Sequence, residues 1–178
     1  MNKFAIALFL ILANISLLSA EEEPLFNGFG DSKKYEKVLV EKVMSADYFL
    51  LSTGEQIKLI GIKAPSPPRR KEIEVDENHI VVRKEDDPNE TIEEKAIHFA
   101  KELLEDHYIR LEFDNEKKDS AFRTLAYAFL PDGTFVNAEI VRQGFANLNI
   151  SPPNTKYNEE LRKAYQEARH EKRGLQGE

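Results

Sequence analysis

Apolar and polar positions change period along the chain, and the changes mark out its elements. Lys37-Val38-Leu39-Val40-Glu41-Lys42-Val43 and Tyr48-Phe49-Leu50-Leu51 are strand-length runs rich in apolar residues, and they predict two strands. Ser52-Thr53-Gly54-Glu55 turns the chain into a third, Gln56 to Ile62, so three antiparallel strands come first. The period then shifts. Thr91-Ile92-Glu93-Glu94 has capping-box form, and Ile92, Ala96, Phe99, Ala100, Leu103 and Leu104 fall on one helical face, which predicts a helix from about Glu93 to Leu104. Ile109, Leu111 and Phe113 alternate as in a strand, and Leu125 to Leu130 reads as another, turned back by Pro131-Asp132-Gly133. A short helix from about Asn137 stops at Gly144. After Pro152-Pro153-Asn154 a last helix carries Leu161, Ala164, Tyr165 and Ala168.

Five strands with a helix between the third and fourth is the order of an OB-fold barrel, so the expected class is α+β, a five-stranded barrel from about Lys37 to Leu130 with about three helices. The stretch from Ser66 to Glu90, SPPRRKEIEVDENHIVVRKEDDPNE, fits neither period and reads as an insertion. Within it, Ile73 and Val75 face Ile80 and Val82 across Asp76-Glu77-Asn78 in a hairpin of mixed charge, either a solvated excursion or a flap and partner site beside the barrel.

The N-terminus has its own logic. Lys3 is followed by an apolar run from Phe4 to Ile15, then Leu17-Leu18-Ser19-Ala20 and the acidic Glu21-Glu22-Glu23. That is the shape of a secretory signal peptide over residues 1–20, with a linker over 21–36 and the domain over 37–178. A retained anchor is the alternative, although the run is shorter than the about 20 residues a spanning helix needs. The expectation is a secreted or periplasmic protein, with no membrane contact after cleavage.

Charge and cysteine content narrow the partners. The formal net charge is −7, and removing the leader with its single Lys3 makes it one unit more negative. Such a balance argues against sequence-indifferent coating of nucleic acid, which needs a broad basic surface, but permits a local basic patch. With no cysteine in the chain, disulfides and thiolate metal sites are excluded. The four histidines, His79, His98, His107 and His170, show no metal-ligand spacing.

Several pieces in order carry a resemblance: Val43 to Leu51, Ile57-Lys58-Leu59-Ile60-Gly61-Ile62-Lys63-Ala64-Pro65, Arg110-Leu111-Glu112-Phe113-Asp114, Arg123-Thr124-Leu125-Ala126-Tyr127, Val136-Asn137, Val141-Arg142-Gln143-Gly144 and Glu171-Lys172-Arg173-Gly174-Leu175. Together they resemble the staphylococcal nuclease (thermonuclease-like) family, from about Val38 to Leu175. The resemblance implies an OB-fold with added helices that hydrolyses phosphodiesters of DNA and RNA, using one calcium ion, a carboxylate that activates water, and two arginines that hold the phosphate.

The family's motifs are only partly kept. Where the family has D-G-D-T this chain has Ser45-Ala46-Asp47-Tyr48, which retains one carboxylate, Asp47. Against R-L-x-G-I-D-A-P-E, Lys58 stands at the arginine, Lys63 at the metal-binding aspartate and Ser66 at the glutamate; against D-x-Y-G-R, Asp119 and Arg123 remain while Ala121-Phe122 replaces Tyr-Gly. Calcium takes about six to eight oxygen ligands, so an ammonium in place of a carboxylate implies that the family's calcium is lost and that no metal or other cofactor is bound. A missing general base forfeits about a hundred- to ten-thousand-fold in rate.

The resemblance therefore leaves enzymatic status open between two readings. In the first, an exported and catalytically impaired barrel binds an anion, a nucleic acid or a protein, the last through residues 66–90. Lys58, Lys63 and Arg123, with Arg69, Arg70 and Lys71, would then form a metal-free cationic pocket; a plainer reading makes them surface charges paired with the abundant carboxylates, Asp47 pairing with Lys63. In the second, an active secreted nuclease recovers its carboxylates from Glu72, Glu74, Asp76 or Glu77. The site residues expected are Arg123 and Lys58 for catalysis, and Lys63, Asp47 and Ser66 for binding.

Overall fold

A computed structural model describes residues 32–66 and 90–177. The expected signal peptide, most of the expected linker and the expected hairpin of the insertion fall outside the described residues. Seven strands follow in chain order, β1 (Val38–Ser45), β2 (Tyr48–Leu51), β3 (Gln56–Leu59), β4 (Gly61–Lys63), β5 (Tyr108–Glu112), β6 (Thr124–Phe129) and β7 (Asn147–Asn149), with helices α1 (Ile92–Leu104), α2 (Val136–Arg142) and α3 (Asn158–His170).

Five of the strands close a barrel in the order β1-β2-β3-β6-β5, with α1 between its third and fourth strands in sequence, as the periodicity predicts. β1, β2 and β3 are antiparallel neighbours and β3 runs parallel to β6. β1 must serve two partners, pairing with β2 along its length and with β5 through Val38 and Leu39; register shifts between Val40 and Lys42 and between Val43 and Ser45 supply the bend. The barrel interior is filled by Val40, Phe49, Leu51, Ile57, Leu59, Ile109 and Ala126, all buried. α1 covers it with Ala96, Ala100 and Leu104, spaced four apart on one face. Its capping box forms as expected: Thr91 N donates to Glu94 Oε2 at 2.9 Å and Glu94 N donates to Thr91 Oγ1 at 3.4 Å.

One expected strand is divided. The run from Gln56 to Ile62 breaks at Gly61, where φ is +78°, so β3 stays in the barrel while β4 leaves it to pair with β7. The positive φ calls for glycine here, and a Cβ would also meet Leu161 Cδ1 of α3 at 2.4 Å, so that side chain would have to shift. The break exposes Ile60 O, and the buried Asn137 of α2 satisfies it: Asn137 Nδ2 donates to Ile60 O at 2.9 Å, and Ala128 N donates to Asn137 Oδ1 at 3.0 Å. Removing that amide would strand two buried backbone groups, at about 1–3 kcal/mol each. Asn137 thus fixes the angle between the barrel and β4, which leads into the candidate site.

Candidate functional site

The β1–β2 turn places Asp47 under the end of β3. Its side chain is almost entirely enclosed, the residue being 3% exposed. The β2–β3 register sets Lys58 opposite Tyr48, next to that carboxylate, and Lys58 Nζ donates to Asp47 Oδ2. Ala64 N donates to the same oxygen at 2.8 Å, Ser45 Oγ donates to Oδ1 at 2.7 Å, and Leu59 N donates to the Asp47 carbonyl at 2.9 Å. One residue therefore ties the turn, β3 and the segment beyond β4 together. The expected pairing of Asp47 with Lys63 does not form. Lys63 ends β4, exposed and opposite Asn147, because the break at Gly61 carries it away from the barrel while Lys58 remains in it.

Arg123 is held by a different device, a turn nucleated by Asp119. Asp119 Oδ1 accepts from Ala121 N at 2.9 Å and Arg123 N at 3.0 Å, and Oδ2 accepts from Arg123 Nε at 2.7 Å. A second guanidinium nitrogen stands 2.6 Å from Oδ2. Burial would raise the Asp119 carboxyl, but the hydrogen bonds from Arg123 and Ala121 prevail and hold it below its ordinary range. The guanidinium lies over the Tyr48 ring, 5.3 Å from its centroid.

Lys58 and Arg123 line one cleft of about 230 Å³, together with Glu116, Asp119, Asn149 and Asn154. Lys63 and Ser66, both exposed, are not among the residues lining it. Both lining cations already have carboxylate partners, so the cleft is a pair of neutralised ion pairs rather than a pocket of repelling charges. Arg69, Arg70 and Lys71, and the carboxylates Glu72, Glu74, Asp76 and Glu77, lie outside the described residues.

Sequence reasoning missed part of the lining. Asn154 is buried and grips one residue twice, with Glu116 N donating to its Oδ1 at 2.8 Å and its Nδ2 donating to Glu116 O at 2.9 Å. Its only local signal is its place after Pro152-Pro153. The segment it sits in is fastened to the barrel by Asp114, which accepts from Tyr127 OH at 3.0 Å and Lys156 N at 2.9 Å, and by Glu112, which accepts from Tyr157 OH at 2.7 Å and from Arg110 and Lys156. Burial would raise the Glu112 carboxyl, yet these three donors lower it to about 2.

The donors around Asp47 also decide how a cation would fare. Its two carboxylate oxygens receive an ammonium, an amide N–H and a hydroxyl, a set that supplies hydrogens where a calcium ion needs oxygen lone pairs. His98 is exposed on α1, 3.6 Å from Glu102 Oε1, and His107 Nδ1 lies 2.8 Å from the Glu105 carbonyl. Among the described residues no group of three or more His, Cys, Asp or Glu stands close enough to hold a metal ion.

Residues 56–176 match the family described as staphylococcal nuclease homologue. The chain is 31% identical over 151 residues to a thermonuclease of Staphylococcus intermedius, covering 80% of each chain. It is 28% identical over 182 residues to a thermonuclease of Staphylococcus hyicus, covering 98% of each. A shorter match, 36% over 90 residues, links 48% of this chain to 30% of the SPbeta prophage-derived endonuclease YokF of Bacillus subtilis (strain 168).

Proposed function

Because the chain belongs to the staphylococcal nuclease family, we propose that it is an exported phosphate-recognising member that binds nucleic acid without calcium-dependent hydrolysis. The observation that carries this is the occupied state of Asp47: Lys58 brings a positive charge against the one carboxylate kept from the family's D-G-D-T motif. Calcium does not fit that donor set, and Ser66, at the position of the family's glutamate, has no carboxylate with which to activate water.

What remains is electrostatic grip. Arg123 has five N–H donors, and the bonds to Asp119 engage two of its nitrogens, Nε and one terminal nitrogen, so N–H groups are left for a phosphate oxygen. The relatives bear the names thermonuclease and endonuclease, which makes a phosphodiester the ligand class to expect. The leader supports export, to the periplasm or beyond it. No helix among the described residues is long and apolar enough to cross a membrane.

The test is a cleavage and binding assay on the chain lacking residues 1–20, with labelled single-stranded DNA and RNA, first in millimolar calcium and then in chelator. The expected result is no calcium-dependent cleavage, with binding that survives the chelator and weakens as salt rises. Cleavage that appears with calcium and stops with chelator would overturn the proposal and favour the nuclease reading, in which the carboxylates of the insertion complete the site.

A further inference from the structure

We infer that Phe122 is a stacking platform for a nucleobase of single-stranded nucleic acid whose phosphate is held at the cleft by Arg123, an inference that rests on the phosphate-recognising reading of that cleft. Phe122 is 83% exposed, well above the other exposed large apolar residues among those described, Met44 at 48% and Tyr108 at 47%. Its backbone has φ +62°, a region that bulky side chains rarely adopt and that glycine enters freely. Packing does not explain a ring so exposed, and local preference works against its conformation.

The surroundings over-determine that conformation. Phe122 N donates to Asp119 O at 3.0 Å, and the residues on either side both donate to Asp119 Oδ1. The turn that presents the ring is thus the same one that aims Arg123, and Asp119 and Arg123 both line the cleft. Backbone strain kept by a turn that lines the cleft is a feature from which a function is reasonably inferred.

The chemistry favours a base over other apolar groups. A net charge of −7 leaves little basic surface for tracking a long phosphate backbone, so affinity must be concentrated on few nucleotides. An exposed ring next in the chain to Arg123 suits a nucleotide, which offers a π-face to the one and a phosphate to the other, and every base has such a face.

The absence of tryptophan makes the test direct, because Phe122→Trp introduces a single indole. The leaderless protein is titrated with a short oligothymidylate and with an abasic oligomer of equal length. Oligothymidylate should quench the indole and the abasic strand should not. Phe122→Leu should weaken oligothymidylate binding about tenfold, the loss expected for one base–aromatic stack, and leave abasic binding unchanged. Phe122→Gly should weaken it similarly while raising the melting temperature, which separates loss of binding from loss of fold. Equal affinities without base-dependent quenching would overturn the stacking inference and leave phosphate recognition standing. No binding of either oligomer to any form would overturn both, and would leave the exposed ring to a protein partner.

Discussion

Two carboxylate–cation pairs serve the same cleft, and they are built differently. Asp47–Lys58 joins a turn to a neighbouring strand, with side chains 5% and 20% exposed, and its carboxylate also receives Ala64 N and Ser45 Oγ. Asp119–Arg123 closes within a single turn, with side chains 19% and 30% exposed. The first has become part of the framework: opening it would leave a charge, an amide and a hydroxyl without partners in a closed corner. The second stays near solvent and can exchange one anion for another. On the proposed function, the first of these pairs is framework and the second is the one that meets a ligand.

Mutation should separate them by stability. Asp47→Ala strands Lys58 beside two unpaired donors, and the expected loss is about 3 kcal/mol. Asp119→Ala removes hydrogen bonds that water can largely replace, and the expected loss is about 1 kcal/mol. Urea unfolding of the two variants at neutral pH measures both. A larger loss for Asp119→Ala would reverse the assignment of framework and working pair.

Acid gives the working pair a yardstick in Glu112, which fastens the far rim of the cleft. Both carboxyls sit below their ordinary values, 4.5 for Glu112 and 3.8 for Asp119, so each contributes stability that is present above that value and lost as pH falls through the folded one. For Glu112 the loss extends down to about pH 2. Melting temperature should therefore fall between pH 4.5 and pH 2, and Glu112→Gln should flatten that fall more than Asp119→Asn does. The opposite ranking would make the Asp119 turn the stronger of the two, and would weaken its description as exchangeable.

How much of this was legible in the sequence depends on how far apart the interacting residues lie. The turn at Ser52-Thr53-Gly54-Glu55 and the capping box at Thr91–Glu94 are local, and both form where the residues predict them. The break at Gly61 is not local. Its positive φ favours glycine, but the groups that meet it, Leu161 against Gly61 and Asn137 on the Ile60 carbonyl, lie far along the chain. Without that break Lys58 and Lys63 look like equivalent charges of one strand; with it, Lys58 stays with Asp47 and Lys63 departs. β7 was missed for the same reason, since three residues with one partially buried leucine carry no period and acquire meaning only against β4. Arg123 entered only through the family resemblance, on the D-x-Y-G-R motif; what the structure adds is the Asp119 turn that holds it.

The smallest expected effect tests the framework pair in its native form. A ligand that binds only the folded state raises the melting temperature by mass action, whatever part of the surface it uses. Calcium would have to displace the Lys58 ammonium and the Ala64 amide to take Asp47 Oδ2, and Oδ1 with the Ser45 hydroxyl falls far short of the about six to eight oxygens it needs. Millimolar calcium should leave the melting temperature of the leaderless chain unchanged. The same addition to Lys63→Asp should also do little, because the introduced carboxylate enters at the exposed end of β4 while Lys58 still holds Asp47. A calcium-dependent rise in the unmutated protein would mean that oxygen ligands reach this corner from elsewhere in the chain and that the Asp47–Lys58 pair opens to admit the ion. The contrast between a locked pair and an exchangeable one would then collapse.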